Sequence, residues 1–141
     1  DRLDMYLEAQ NYTSETNFLI LVNRSTHRVG IYYLANGKWE EDRYIWCGDG
    51  AYSTPTVEGV FRINHQWYYF DSENARLFYA SNFYGAYWIH SILYEQDNTP
   101  ERVLDSRLGM AVSHGCVRVS LDNAKYIFDH CDVGTTVVVY H

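Results

Sequence analysis

Ser113-His114-Gly115-Cys116-Val117-Arg118 brings a thiol, an imidazole and a guanidinium together in one short stretch of chain. A thiol attacks a carbonyl carbon as its thiolate, and a neighbouring histidine or a cluster of backbone N–H groups favours that form. Gly115 permits close backbone approach, so the N–H groups of His114, Gly115 and Cys116 can face the point where a tetrahedral oxyanion would form. Such a cysteine needs a base, and two histidines compete. His114 lies two residues before Cys116, whereas His90 sits far upstream in Tyr87-Trp88-Ile89-His90-Ser91-Ile92. Spacing does not choose between them. An imidazole on an apolar strand costs on the order of 1–3 kcal/mol unless it is partnered. Both residues also have a plain structural reading: Cys116 as a buried thiol in a turn, His90 as a satisfied core residue.

The surrounding pattern predicts the elements that must position these groups. Residues 1–16 read as a short helix, with Leu3, Tyr6 and Leu7 as its apolar stripe, followed by a polar lead-in. Phe18 to Val22 is a buried strand, and Val29, Ile31 and Tyr33 alternate along a second. Asn36-Gly37 then turns the chain into a third, Trp39 to Trp46. Gly48-Asp49-Gly50 reads as a break, Ser53-Thr54-Pro55-Thr56 as a turn, and Gly59 to Asn64 as a further strand. Residues 65–80 are aromatic and polar without a clear period, and read as strand and loop. Tyr87 to Ile92 is a strand, and 94–107 a long hydrophilic surface loop. Ser120 caps a helix carrying Leu121, Ala124, Ile127 and Phe128, Gly134 ends it, and Thr135 to Tyr140 is the closing strand. The fold class is mostly β, an antiparallel β-sandwich with one main helix after Cys116.

With 141 residues the chain suits one compact domain. Eleven basic against eighteen acidic residues leave a formal charge of -7, which speaks against nucleic acid as a partner. No apolar run is long enough to span a membrane, and Asp1-Arg2-Leu3-Asp4 is no signal peptide, so an export signal or anchor is expected upstream of residue 1. Fourteen Tyr, six Phe and four Trp suit strand surfaces, and also clefts that bind carbohydrate or peptide. Three cysteines leave at least one thiol unpaired, with Cys47 and Cys131 as a conceivable disulfide in an exported domain.

The 113–118 stretch resembles the signature of the L,D-transpeptidase catalytic domain (YkuD-type), a family that cross-links bacterial peptidoglycan. Ser53-Thr54-Pro55-Thr56-Val57-Glu58-Gly59-Val60-Phe61 is similar to its "TPTG-F" segment with two residues inserted, and Trp88-Ile89-His90-Ser91 to the strand bearing its upstream histidine. The likeness runs from Phe18 to Tyr140, with 1–16 as a lead-in and 17–141 as the catalytic domain. It implies Cys116 as nucleophile, His90 as base and the Ser91 carbonyl as the group that orients His90. His114 and Gly115 would join Cys116 in the oxyanion hole. Arg118, Ser113, Arg107 and Trp88 would contact substrate, with Arg102 a weaker candidate. Two features depart from the family pattern: Arg118 stands where Asn is often found, and the gap between His90 and Ser113 is long, its excess falling in 94–107.

The resemblance further implies peptidoglycan stem peptides as donor and acceptor, and carbapenem-type β-lactams as inhibitors. It implies no cofactor and an extracytoplasmic, wall-associated location in a bacterium. An L,D-carboxypeptidase acting on the same stems is the nearest alternative. A zinc site from His90, His114 and Cys116, with His130 or Cys131, fits no usual ligand spacing. A non-catalytic wall-binding module would not need Cys116, His90, Ser91 and His114 together.

Overall fold

The computed structural model describes residues 1–96 and 102–141. In chain order the elements are α1 (Arg2–Ala9), β1 (Phe18–Asn23), β2 (Arg28–Ala35), β3 (Lys38–Trp46), β4 (Gly48–Gly50), β5 (Gly59–Arg62) and β6 (His65–Ser72). There follow β7 (Ala75–Tyr84), β8 (Tyr87–Ser91), β9 (Leu93–Glu95), β10 (Val103–Asp105), β11 (Met110–Ser113), β12 (Val117–Val119), α2 (Leu121–His130) and β13 (Thr136–Tyr140). One sheet runs β3-β2-β1-β13-β5, and the other β10-β9-β7-β8-β12-β4-β11 with β6 added on β7.

The apolar run of β1 is explained by burial on both faces. Ile20 and Val22 join Val29, Ile31, Val137 and Val139 in the core between the sheets, which also takes Ile89, Val117, Val119, Ala124 and Ile127. Leu19 and Leu21 face the other way, onto Met5, Ala9, Tyr32, Trp39 and Val138. The first helix therefore covers the outer face of the first sheet. Its expected stripe is corrected: Met5 and Ala9, four apart, are buried, whereas Leu3 and Leu7 are 63% and 56% exposed. Burying Met5 contributes about 1.5–3 kcal/mol. A Cβ on Gly30 would stand 2.4 Å from Met5 Sδ, so even alanine at that position would force the Met5 side chain to shift.

Most strand pairs are antiparallel, but β1 with β13, β8 with β12, and β4 with β11 run parallel, which makes both sheets mixed. The β8–β12 pair matters most. Its register sets Arg118 opposite His90 and Val119 opposite Ser91, joining segments remote in sequence.

Two further expectations are corrected. Gly48-Asp49-Gly50 is not a break but strand β4, paired with both β11 and β12. Its small residues gave no strand signal, yet the site demands them: a Cβ on Gly50 would lie 2.2 Å from the Thr54 carbonyl oxygen. The 94–107 loop is paired at its ends, where β9 meets β10, and its middle lies outside the described residues. The second helix stops at His130, before Gly134, with the Cys131 N–H bonded to the Ile127 carbonyl. Cys47 and Cys131 are both buried free thiols, not a disulfide.

Candidate active site

The loop between β11 and β12 is held from below by the turn after β4. Thr56 Oγ1 donates to the Gly115 carbonyl (2.6 Å) and accepts the Gly50 N–H (2.9 Å). Thr54 Oγ1 and the Ala51 N–H both donate to the Ser113 carbonyl, at 3.0 and 2.9 Å. Ser113 Oγ donates to the Cys116 carbonyl and accepts the Gly115 N–H at 3.1 Å. Gly115 has φ +128°, and a Cβ there would meet the Tyr87 ring at 2.8 Å. Glycine is therefore required twice over, by conformation and by space. One expectation changes: with the Gly115 N–H bonded to Ser113, the candidate oxyanion donors reduce to the N–H groups of His114 and Cys116.

Thr56 is buried and its hydroxyl serves both partners, so Thr56→Val leaves a backbone donor and acceptor without it. The expected cost is about 2–3 kcal/mol, read as a lower urea midpoint. Thr54→Val, with a single bond to lose, should cost about 1 kcal/mol.

His90 is 3% exposed. Its Nδ1 lies 2.7 Å from the Ser91 carbonyl oxygen, which can only accept, so Nδ1 carries the proton and Nε2 is left as the basic nitrogen. Phe70 meets the ring edge-on at 6.0 Å between centroids. Burial drives the His90 pKa down to about 4, with the Arg118 charge adding to the fall and the Ser91 carbonyl opposing it. Burial likewise pushes the Cys116 thiol up to about 11, against a backbone hydrogen bond from Trp88 and the Arg118 charge. The resting pair is thus neutral thiol and neutral imidazole. The hydroxyl of Ser91 is engaged elsewhere, accepting the Phe78 N–H and donating to the Ile92 carbonyl.

The depressed histidine carries a stability consequence. As pH falls below about 6.5 the unfolded chain binds a proton at His90, while the folded state refuses it until about 4. The stability held above pH 6.5 is therefore lost on the way down to pH 4. Between pH 7.5 and 4.5 the wild type should lose about 2–3 kcal/mol more than His90→Gln. Urea midpoints at the two pH values test this, and equal losses would refute it.

Cys116, His90, His114, Ser113, Arg107 and Arg118 all line one cleft of 240 Å³. Arg118 is 4% exposed, and its Nη1 sits 3.1 Å from Asp105 Oδ2. That approach is poorly directed: among the described residues, buried Nη1 and Nε find no hydrogen-bond partner. Asp105 is instead gripped by Arg107, whose Nη2 donates to it at 2.7 Å and whose backbone N–H donates at 3.0 Å. These contacts hold the Asp105 carboxyl well below the usual range. Trp88 is corrected. Its side chain does not line the cleft but is buried among Trp67, Phe70 and His65. Arg102 stands outside the lining, 3.6 Å from Glu95. Sequence reasoning missed Phe70, Asn74 and Leu77, brought to the cleft by the β6–β7 hairpin, and Asp105 on β10. Among the described residues no three His, Cys, Asp or Glu side chains gather as a metal-ligand set, and no helix is long and apolar enough to cross a membrane.

The chain and its fold match known proteins. The model of the L,D-transpeptidase catalytic domain, YkuD, matches residues 17–139. The chain belongs to that family. A fused Zn-dependent amidase/peptidase/peptidoglycan-binding domain-containing protein of Clostridium acetobutylicum is 30% identical with a TM-score of 0.79, over 98% of this chain and 59% of that one. The LD transpeptidase LdtMt1, solved in complex with imipenem, shares the fold at 22% identity and a TM-score of 0.66, over 87% of this chain and 58% of that one. YciB of Bacillus subtilis is 25% identical over 89 residues, 60% of this chain and 46% of that protein. The chain thus spans about half to three-fifths of the length of these relatives.

Proposed function

We propose that this domain is an L,D-transpeptidase that acts on peptidoglycan stem peptides through a thioester on Cys116. The observation that carries the reading is the shared cleft. A partly buried thiol, an imidazole whose Nδ1–H is fixed by Ser91, and a buried guanidinium all line one space. His90 Nε2 takes the thiol proton as sulfur bonds to the carbonyl carbon of the third stem residue. The oxyanion accepts hydrogen bonds from the His114 and Cys116 N–H groups. As the intermediate collapses, the bond to the terminal D-amino acid breaks and the proton on His90 passes to the departing amine. A side-chain amine of a second stem then attacks the thioester, gives its proton to His90, and releases Cys116. Arg118 holds a substrate carboxylate. A bacterial wall substrate places the domain outside the cytoplasm.

The test is mass spectrometry on the protein incubated with a tetrapeptide stem. An adduct equal to the stem minus its terminal D-amino acid is expected, with cross-linked dimer in solution when an acceptor stem is present. Tripeptide alone, despite abundant acceptor, would make water the acceptor and the domain an L,D-carboxypeptidase. No adduct and no product would refute the acyl-transfer reading.

Carbapenem-type β-lactams present a strained carbonyl to the same thiol, and imipenem is bound in the LdtMt1 complex. One adduct on Cys116 is expected, with penicillins reacting poorly. The buried Cys47 and Cys131 should stay unmodified until the chain is unfolded. An adduct that survives Cys116→Ala would overturn this.

A further inference from the structure

We infer that Asp105 sets the affinity of the cleft for anionic ligands: its carboxylate occupies the Arg118 guanidinium at rest and must be displaced before a ligand carboxylate can bind there. The inference rests on the reading of Arg118 as a carboxylate clamp and adds the residue that competes with the ligand for it. Asp105 Oδ2 lies 3.1 Å from Arg118 Nη1, and both side chains line the cleft together with Cys116 and His90.

A guanidinium only 4% exposed does not stand alone. Burial lowers the Arg118 pKa, and the Asp105 charge opposes the fall. An unpaired charge in such a place is costly, so the fold must supply a counter-ion whenever a ligand does not. Among the described residues Asp105 is the carboxylate that forms an ion pair with Arg118. Two carboxylates, one from β10 and one from the ligand, therefore compete for one fork.

Asp105 can release Arg118 at little cost because Arg107 already satisfies it. Arg107 Nη2 donates to Oδ2 at 2.7 Å, and its Nε donates to Oδ1 and Oδ2 at 3.0 and 3.2 Å. The Arg107 backbone N–H donates to Oδ1 at 3.0 Å. Arg118 adds a longer and poorly directed approach to an oxygen that Arg107 already holds. These bonds, those of Arg107 foremost, keep the Asp105 carboxyl well below the usual carboxylate range, so it stays an ionised competitor at neutral pH. Displacement by a ligand thus exchanges one weak pair for a charge-assisted one.

The chain is also shaped to deliver that carboxylate. From Val103↔Tyr94 to Asp105↔Leu93 the pairing advances two residues on β10 for one on β9, which is a bulge. Bulges re-aim side chains and are frequent beside active sites. Val103 and Leu104 stay exposed, whereas Asp105 lines the cleft. Asp105 and Arg107 are two residues apart, so the hold on the carboxylate is built locally and does not depend on Arg118.

Alkylation of Cys116 tests the competition without any stem peptide. Iodoacetate and iodoacetamide transfer the same carbon to sulfur with loss of iodide, but one carries a carboxylate and the other a neutral amide. The ratio of their rates on Cys116, read by mass spectrometry within each variant, cancels changes in thiol reactivity. Asp105→Asn keeps the side-chain shape and removes the competitor, so the iodoacetate-to-iodoacetamide ratio should rise about tenfold over wild type. In an Arg118→Ala background the same change should move the ratio by less than about threefold. A ratio that stays level or falls in Asp105→Asn overturns the competition. So does a rise that persists in full without Arg118, because Asp105 would then act through its field alone. Asp105→Asn should also lower KM for the stem tetrapeptide more than it alters kcat. If the alkylation ratios behave as expected while no variant forms a thioester with the stem, the competition stands and the acyl-transfer reading fails.

Discussion

Cys116→Ser and His90→Ala are each expected to reduce thioester formation from a stem tetrapeptide by about a thousandfold or more. The size follows from the resting state. Burial holds the thiol up at about 11 and the imidazole down at about 4, so almost no thiolate exists at neutral pH without a base to take its proton during attack. A serine hydroxyl is a poorer nucleophile in the same setting. The two variants part company at high pH. In His90→Ala, hydroxide can replace the lost base, and the residual rate should climb about tenfold per pH unit toward 11. Cys116→Ser should stay inactive throughout. His114→Ala keeps its backbone N–H and should retain activity within about tenfold. If His114→Ala abolishes adduct formation while His90→Ala leaves it largely intact, the base has been misassigned.

The sequence made the chemistry easier to read than the scaffold beneath it. Ser113 to Arg118 is local, and a thiol beside glycine and histidine speaks through residue type alone. The pairing with His90 was legible only through the resemblance, because a parallel register between β8 and β12 leaves no trace in spacing. The Asn36-Gly37 hairpin was legible because both residues take positive φ, at 52° and 77°, as that turn requires. Gly50 misled because crowding by the Thr54–Thr56 backbone selects glycine there against strand propensity. The aromatic run from His65 defeated a period-two reading because its own pairing is interrupted opposite Tyr79. Leu3 and Leu7 misled in another way: apolar residues on a short surface helix need not mark its buried side.

Arg118→Ala is expected to lower kcat/KM for anionic stem peptides by about ten- to a hundredfold. A formal charge of -7 repels such substrates at long range, so a cation at the cleft must offset that field locally. Arg118 lines the cleft, and among the described residues its Nε and Nη1 have no hydrogen-bond partner, so a turn of the fork away from Asp105 would present it to an incoming carboxylate. A charge-assisted pair of this kind contributes about 1.5–3 kcal/mol. Asp105 is a ready stand-in for that ligand, held near Nη1 but bound more tightly by Arg107. Arg118→Lys keeps the charge and loses the planar fork, so it should fall between wild type and alanine. Alkylation of Cys116 by a small neutral reagent is the control that separates recognition from reactivity, because such a reagent has no carboxylate to hold. Its rate should change by less than about threefold in Arg118→Ala, since Arg118 is a minor influence on the thiol beside burial. If stem turnover and alkylation fall together, Arg118 tunes the thiol or braces the strand, and the carboxylate clamp is refuted.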